Sequence, residues 1–252
     1  PRSQSQMFQI LQKSQSGINE EYSYLFTHPI PKERITDARI REENVDNQIN
    51  YRNSLEFYLV KARAEVYNSR NLNSLEDFYS NQKNNENKKI KLYRKYGLSL
   101  VFKEQKRYEE AFKAARELLQ ENPSNLIFQT NILEIHLAEG NSLEAISVGE
   151  KLLSVNSNNF SISYYLAKAY ILDNNPEKAE EILINLSKEN PKDPSVWYEL
   201  AEAQGLAGNI IGLHRSRAEY FILTGRYDSA IFQLREGLKS VSYTHLRAHE
   251  TQ

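Results

Sequence analysis

Over most of the chain the apolar positions recur three and four residues apart, the spacing that lines one side of an α-helix, and no useful stretch shows the period of two that a strand requires. The segments RYEEAFKAARELL, NSLEAISVGEKLL and NPEKAEEILINL each follow this rule, with charged or amide side chains on the opposite side. The pattern predicts an all-α protein.

These segments are copies of one unit. Ala111, Ala145 and Ala179 stand 34 residues apart; twelve before them come Ser99, Leu133 and Ala167, and twelve after come Pro123, Ser157 and Pro191. Small residues let two helices approach closely, and proline ends the second helix because it cannot continue the hydrogen-bond ladder. The arrangement matches the tetratricopeptide pattern of two antiparallel helices per repeat. A fourth unit begins at DPSVWYELAEAQ, with Trp197, Leu200 and Ala201 in first-helix places. Its second helix, NIIGLHRSRAEYFILTG, also serves as the first helix of a last pair, because Ala218 precedes Ala230 by twelve; the register then shifts by half a repeat. Upstream, SLEFYLVKARAEVY and SLEDFYSNQ read as a degenerate first pair, and NQKNNENKK as a solvated helix end or loop.

A right-handed helical solenoid is therefore expected from about Ser54 to Ser240, each pair burying its apolar face only by stacking on the next. Counting 34 from Tyr96 leads to Thr130, Tyr164 and Tyr198, at the first-helix place that faces the groove in such repeats, with Lys168 and Glu202 beside the last two. Aromatic side chains give large contact area at low entropic cost, so this stripe is a candidate peptide-binding surface. The alternative is that the tyrosines only pack between helices.

Composition narrows the partners. The formal net charge of −1 argues against a broad electrostatic partner such as nucleic acid. No run approaches the roughly 18 apolar residues of a membrane span. Without cysteine there are neither disulfides nor thiolate metal sites, and the compartment stays open. The chain opens on Pro1, so it is expected to be an internal piece of a longer gene product. The end stands apart: His245 and His249 are four apart, as two metal ligands on a helix would be, but Val241 to Thr251 is also what the transposon-end adapter of sequencing libraries encodes, codon for codon. Residues 241–252 are set aside as an assembly artefact.

The chemical hint lies before the repeats, in YLFTHPIPKERITDARIREENV. Pro29 and Pro31 disfavour the α conformation in His28 and Ile30, so THPIP is expected to be a stiff, extended strip. Pro31 then suits the first turn of a helix turning Ile35, Ala38 and Val45 inward, with Arg34 in that first turn, where the helix dipole disfavours a cation.

The order of MFQILQKSQ, THPIPKERITDAR, a variable helix pair and then repeats ending in HRSRAEYFILTGRYDSAIFQLREGL resembles the zinc metallopeptidases of the HtpX-related group over residues 1 to 240. The resemblance implies that residues 1–50 are the C-terminal end of a metallopeptidase domain and 51–240 its tetratricopeptide-repeat domain. It matches His28 to a histidine that can reach zinc from a covering loop, and Arg34 to an arginine close to the same site. It also implies a periplasmic zinc endopeptidase, with misassembled outer-membrane proteins as substrates and the outer-membrane assembly machinery as partner. The family's H-E-x-x-H helix and downstream glutamate are absent from this sequence, so alone it is expected to be inactive. A non-catalytic adaptor binding proteins through the same repeats is the other reading. His136, where neighbouring repeats carry Phe102 and Tyr170, is expected to be a packing residue, and His214, beside Arg215 and Arg217, a solvated or inter-helix contact.

Overall fold

The computed structural model describes Met7 and residues 32–43, 54–81 and 87–250. The chain divides into two compact units, Pro1–Asn53 and Ser54–Gln252. In the first, α1 spans Lys32–Glu43 and buries Ile35 and Ala38; Val45 lies outside the described residues.

The second unit is helical throughout its described residues. Its elements are α2 (Leu55–Tyr67), α3 (Leu72–Ser80), α4 (Lys88–Glu104), α5 (Tyr108–Glu121), α6 (Leu126–Glu139), α7 (Ser142–Val155), α8 (Phe160–Leu172), α9 (Pro176–Glu189), α10 (Pro194–Leu206), α11 (Ile210–Leu223) and α12 (Tyr227–Glu250). From α3 onward each packs on the next in sequence, α2 packs on α4, and α4, α6, α8 and α10 also touch in series, giving a tetratricopeptide-like solenoid.

The starts of the helices are written in short polar side chains. Asn71, Asn87, Asn125, Asn141, Asn159 and Asn209 each accept a backbone N–H of the first turn, as Ser54 and Asp193 do, satisfying donors that the helix leaves unpaired. Pro176 and Pro194 open α9 and α10, where a missing N–H costs nothing.

The first helices end alike. After each comes one residue in the left-handed region, Lys106, Gly140, Asn174 and Gly208, again 34 apart, with φ of 62°, 86°, 56° and 75°. One residue further on, a backbone N–H reaches back five residues to close the turn: Arg107 to Phe102, Asn141 to His136, Asn175 to Tyr170 and Asn209 to Gln204, at 2.8–2.9 Å. The second helices α5, α7 and α9 end instead at Asn122, Asn156 and Asn190, whose φ values are −144°, −130° and −127°.

Helix α11 breaks the alternation. It stands where a second helix belongs, yet it ends as a first helix does, at Gly225 with φ 73° and an Arg226-to-Phe221 bond of 2.8 Å. Gly225 lies 17 residues after Gly208, half a repeat. Ala218 and Ala230 are both buried, so the close approach that Ser99 and Ala111 make in the first regular pair is made here between α11 and α12.

The core runs through the stack. Around α2–α4 it is aromatic: Tyr79 and Tyr93 meet edge to face at 5.5 Å, and their hydroxyls donate to the Glu65 carboxylate at 2.7 and 2.5 Å. Gly97 is required there, because any Cβ would fall inside the van der Waals shell of the Tyr79 ring. Further along the core is aliphatic, centred on Leu166, Leu183, Val196 and Leu200.

Candidate functional site

The periodic stripe does not emerge intact. Tyr96 is fully buried against Phe128, at 5.8 Å between rings, with the Arg63 guanidinium lying over its ring, and its hydroxyl has no hydrogen-bond partner. Thr130 is buried as well and donates to the Leu126 carbonyl within its own helix. Tyr164 is half-buried, while Tyr198 is 54% exposed and Glu202 is exposed. The first half of the stripe is thus core, and the second half opens to solvent.

What the open half belongs to is a groove of about 500 Å³ crossing four first helices. Lys103 comes from α4, Glu134 and Leu137 from α6, Tyr165 and Lys168 from α8, and Tyr198, Glu199 and Glu202 from α10. Two carboxylates sit in its floor. Glu134 accepts Arg63, reaching across from α2, through both guanidinium nitrogens, and Lys103 at 3.3 Å. Glu199 accepts Lys168 at 2.9 Å and the Tyr164 hydroxyl at 3.2 Å. Each buried charge is therefore paired and hydrogen-bonded, as a low-dielectric site requires.

These pairs fix the protonation states. Burial alone would lower the Arg63 guanidinium, but the Glu134 carboxylate outweighs it and holds the group above its ordinary range. Burial, then the Glu199 carboxylate, pushes the Tyr164 phenol up; burial, then Glu134, does the same to Tyr165. Both phenols stay neutral hydrogen-bond donors. With its buried charges matched in place, the groove offers aromatic and aliphatic surface of the kind that receives a chain segment.

Three of the six stripe residues, Lys168, Tyr198 and Glu202, line the groove and Tyr164 bonds to Glu199 in its floor, whereas Arg63, Lys103, Glu134, Tyr165 and Glu199 were not read from the sequence. A signal was available for some of them. At the places 34 apart that hold Gly97, Asn131, Tyr165 and Glu199, or Leu100, Glu134, Lys168 and Glu202, size and charge change from copy to copy, unlike Ser99, Leu133, Ala167 and Ala201. Arg63 belongs to the degenerate first pair and carried none.

The histidines divide as follows. His136 packs on the Phe112 ring at 4.5 Å, its Nδ1 is buried without a hydrogen-bond partner, and burial pulls its pKa below the ordinary value of 6.5. His214 Nδ1 lies 2.9 Å from Gln233 Oε1, tying α11 to α12. His28 lies outside the described residues, and Arg34 falls within α1. Among the described residues no three His, Asp or Glu side chains converge to hold a metal ion, so they do not by themselves fit a zinc centre. Nor, among them, is any helix long and apolar enough to cross a membrane.

A tetratricopeptide repeat model matches residues 136–204. The chain is 32% identical over 124 residues to the beta-barrel assembly-enhancing protease of Escherichia coli (strain K12), an overlap of 49% of this chain and 25% of that protein. To the protein of the same name in Yersinia pestis it is 26% identical over 147 residues, 58% of this chain and 30% of that one. The chain thus spans between 25% and 30% of the length of these curated relatives. Among solved structures it is similar to a tetratricopeptide repeat protein of Parabacteroides merdae, with a TM-score of 0.49 at 16% identity over 82% of this chain and 84% of that one.

Proposed function

We propose that this chain is the partner-recruiting part of a zinc metalloendopeptidase of the bacterial envelope, and that its groove engages outer-membrane proteins or the machinery that assembles them. The observation that carries recruitment is the solvent-open groove, where Tyr198 and Leu172 are exposed beside the paired carboxylates Glu134 and Glu199. Lys168, Tyr198 and Glu202 line the contact surface, with Tyr164 bracing Glu199 from behind. The likeness to the assembly-enhancing proteases supports the enzymatic half of the reading. Zinc would then be held mainly by residues outside this chain, with His28 and Arg34 beside it.

The natural gene separates enzyme from adaptor. A reading frame encoding H-E-x-x-H on a predicted helix upstream of Pro1 supports the peptidase, whereas a complete frame without it leaves a non-catalytic adaptor using the same groove. In the full-length protein, Leu172→Asp puts an unpaired charge into the groove. It is expected to reduce cleavage of an unfolded outer-membrane β-barrel protein about tenfold while sparing a short peptide substrate; equal loss on both substrates, or none, refutes recruitment by the groove. Arg34→Ala is expected to lower proteolysis, and His28→Ala to alter either zinc affinity or proteolysis. A His28→Ala protein unchanged in both has no metal role at that position.

A further inference from the structure

In the regular pairs the second helix carries small or aliphatic residues at three repeat places: Ala111, Ala145 and Ala179; Ala115, Gly149 and Leu183; Leu118, Leu152 and Leu186. Counting 34 onward, α11 places Leu213, Arg217 and Tyr220 there. An arginine cannot be sealed into an apolar helix interface without a partner. Arg217 stays exposed. The cause is a shift of register: α11 meets α10 through Gly212 and Ser216, one place earlier, where the buried Ser216 hydroxyl donates to Gln204 at 2.7 Å and a Cβ at Gly212 would meet the same side chain, while Ala218 is buried between α11 and α12.

Beside that contact α10 and α11 line a cavity of about 440 Å³. Tyr198 and Leu206 line it from α10, and Leu213, Tyr220 and Phe221 from α11. Tyr198 and Tyr220 meet edge to face at 5.5 Å, an arrangement that a further ring extends at favourable geometry. Two exposed charged side chains, Glu202 from α10 and Arg217 from α11, also line the cavity, and among the described residues neither is held in an ion pair as Glu134 and Glu199 are in the groove.

We infer that this cavity is a second subsite for a partner chain, taking an aromatic side chain flanked by a basic residue toward Glu202 and an acidic residue toward Arg217. The inference rests on the reading of the repeats as a partner-binding domain. The cavity is half open, with Tyr198 54% and Leu206 53% exposed, so it suits a side chain delivered by an extended ligand rather than an enclosed small molecule. Opposite unpaired charges on its two walls call for opposite charges on the two sides of the anchor. Each exposed pair contributes little by itself, so the rings supply affinity and the charges supply selectivity.

The test uses three fluorescein-labelled heptapeptides of glycine with phenylalanine at the centre: one with lysine and glutamate two residues to either side, one with two lysines and one with two glutamates. Fluorescence anisotropy at low ionic strength is expected to show the lysine–glutamate peptide binding the full chain about three- to fivefold tighter than the other two, a preference lost at high salt. Replacing its phenylalanine by alanine should weaken it at least about tenfold. Arg217→Glu should move the preference to the two-lysine peptide and Glu202→Lys to the two-glutamate peptide, and the double exchange should restore the original order. Circular dichroism of all variants should match the unmodified protein, since both side chains are exposed. No binding, equal binding of the three peptides, or an order that Arg217→Glu leaves unchanged overturns the subsite. If the subsite fails while Leu172→Asp still reduces cleavage of the β-barrel substrate and spares the short peptide, the groove reading stands; if both fail, the repeats are not the recruiting surface.

Discussion

From α4 to α9 the solenoid closes its helix pairs around alanine, glycine and leucine, and Leu143, Val155 and Leu172 are the large apolar side chains it leaves exposed. From α10 to α12 the same period runs on in the sequence, yet Ile210, Ile211, Ile222, Tyr227, Ile231 and Leu238, among others, face solvent. One difference lies in α11, whose small residues toward α10, Gly212 and Ser216, stand one place before the repeat positions Leu213 and Arg217. Leu213, Arg217 and Tyr220 thereby come to line a cavity along α10 instead of filling the core. A repeat position is thus a core position only while the helix carrying it keeps its place in the alternation.

Substitution at one repeat position in both regions gives the largest contrast. Leu183 is fully buried, and Leu183→Ala should cost about 2–5 kcal/mol, the sum of lost transfer energy and a residual cavity. Arg217, 34 residues on, is exposed, and Arg217→Ala should change stability by less than about 0.5 kcal/mol. Urea midpoints for the two variants measure this directly, and similar losses would mean that Arg217 is packed as Leu183 is.

A smaller contrast comes from the reverse exchange one turn earlier. Ala179→Leu places in a closed pair the residue that Leu213 supplies in the open one, and overpacking should destabilise it by about 1–3 kcal/mol. Leu213→Ala should cost about 1 kcal/mol or less, because Leu213 is only half-buried beside the cavity.

The smallest effect is a pH dependence confined to the regular region. Burial lowers the His136 pKa below 6.5, so the folded state disfavours its protonation. The stability this contributes is full above pH 6.5 and is lost as pH falls from there through the folded-state pKa. His136→Phe, which copies Phe102 at the same place, should flatten the fall in Tm between about pH 7 and pH 5. Parallel Tm curves for the two proteins would show that His136 is as accessible to protons as a residue of the terminal region.

Much of the fold was legible because it is periodic. Ala111, Ala145 and Ala179 announced the pairs, and the spacing of Ala218 and Ala230 announced the shift. The site was legible only in part. Tyr164, Lys168, Tyr198 and Glu202 followed from counting, whereas Tyr96 and Thr130 obey the same count and lie in the core. Counting gives the direction in which a side chain leaves its helix; what then covers it is settled by other helices, as Arg63 covers Tyr96 from α2.

The sequence by itself determined the helices, their caps, their pairing and the half-repeat shift, because each depends on residues within one or two turns or on a fixed spacing: an asparagine that accepts a first-turn N–H, a glycine at a left-handed turn, an alanine where helices touch. Only the tertiary structure decided which charges meet and where the stack stays open. Arg63 and Glu134 are 71 residues apart, Arg217 falls at a place that is core in three earlier copies, and neither fact has a local cause. Both follow from helices competing for the same buried surface, a competition resolved only when all of them are in place.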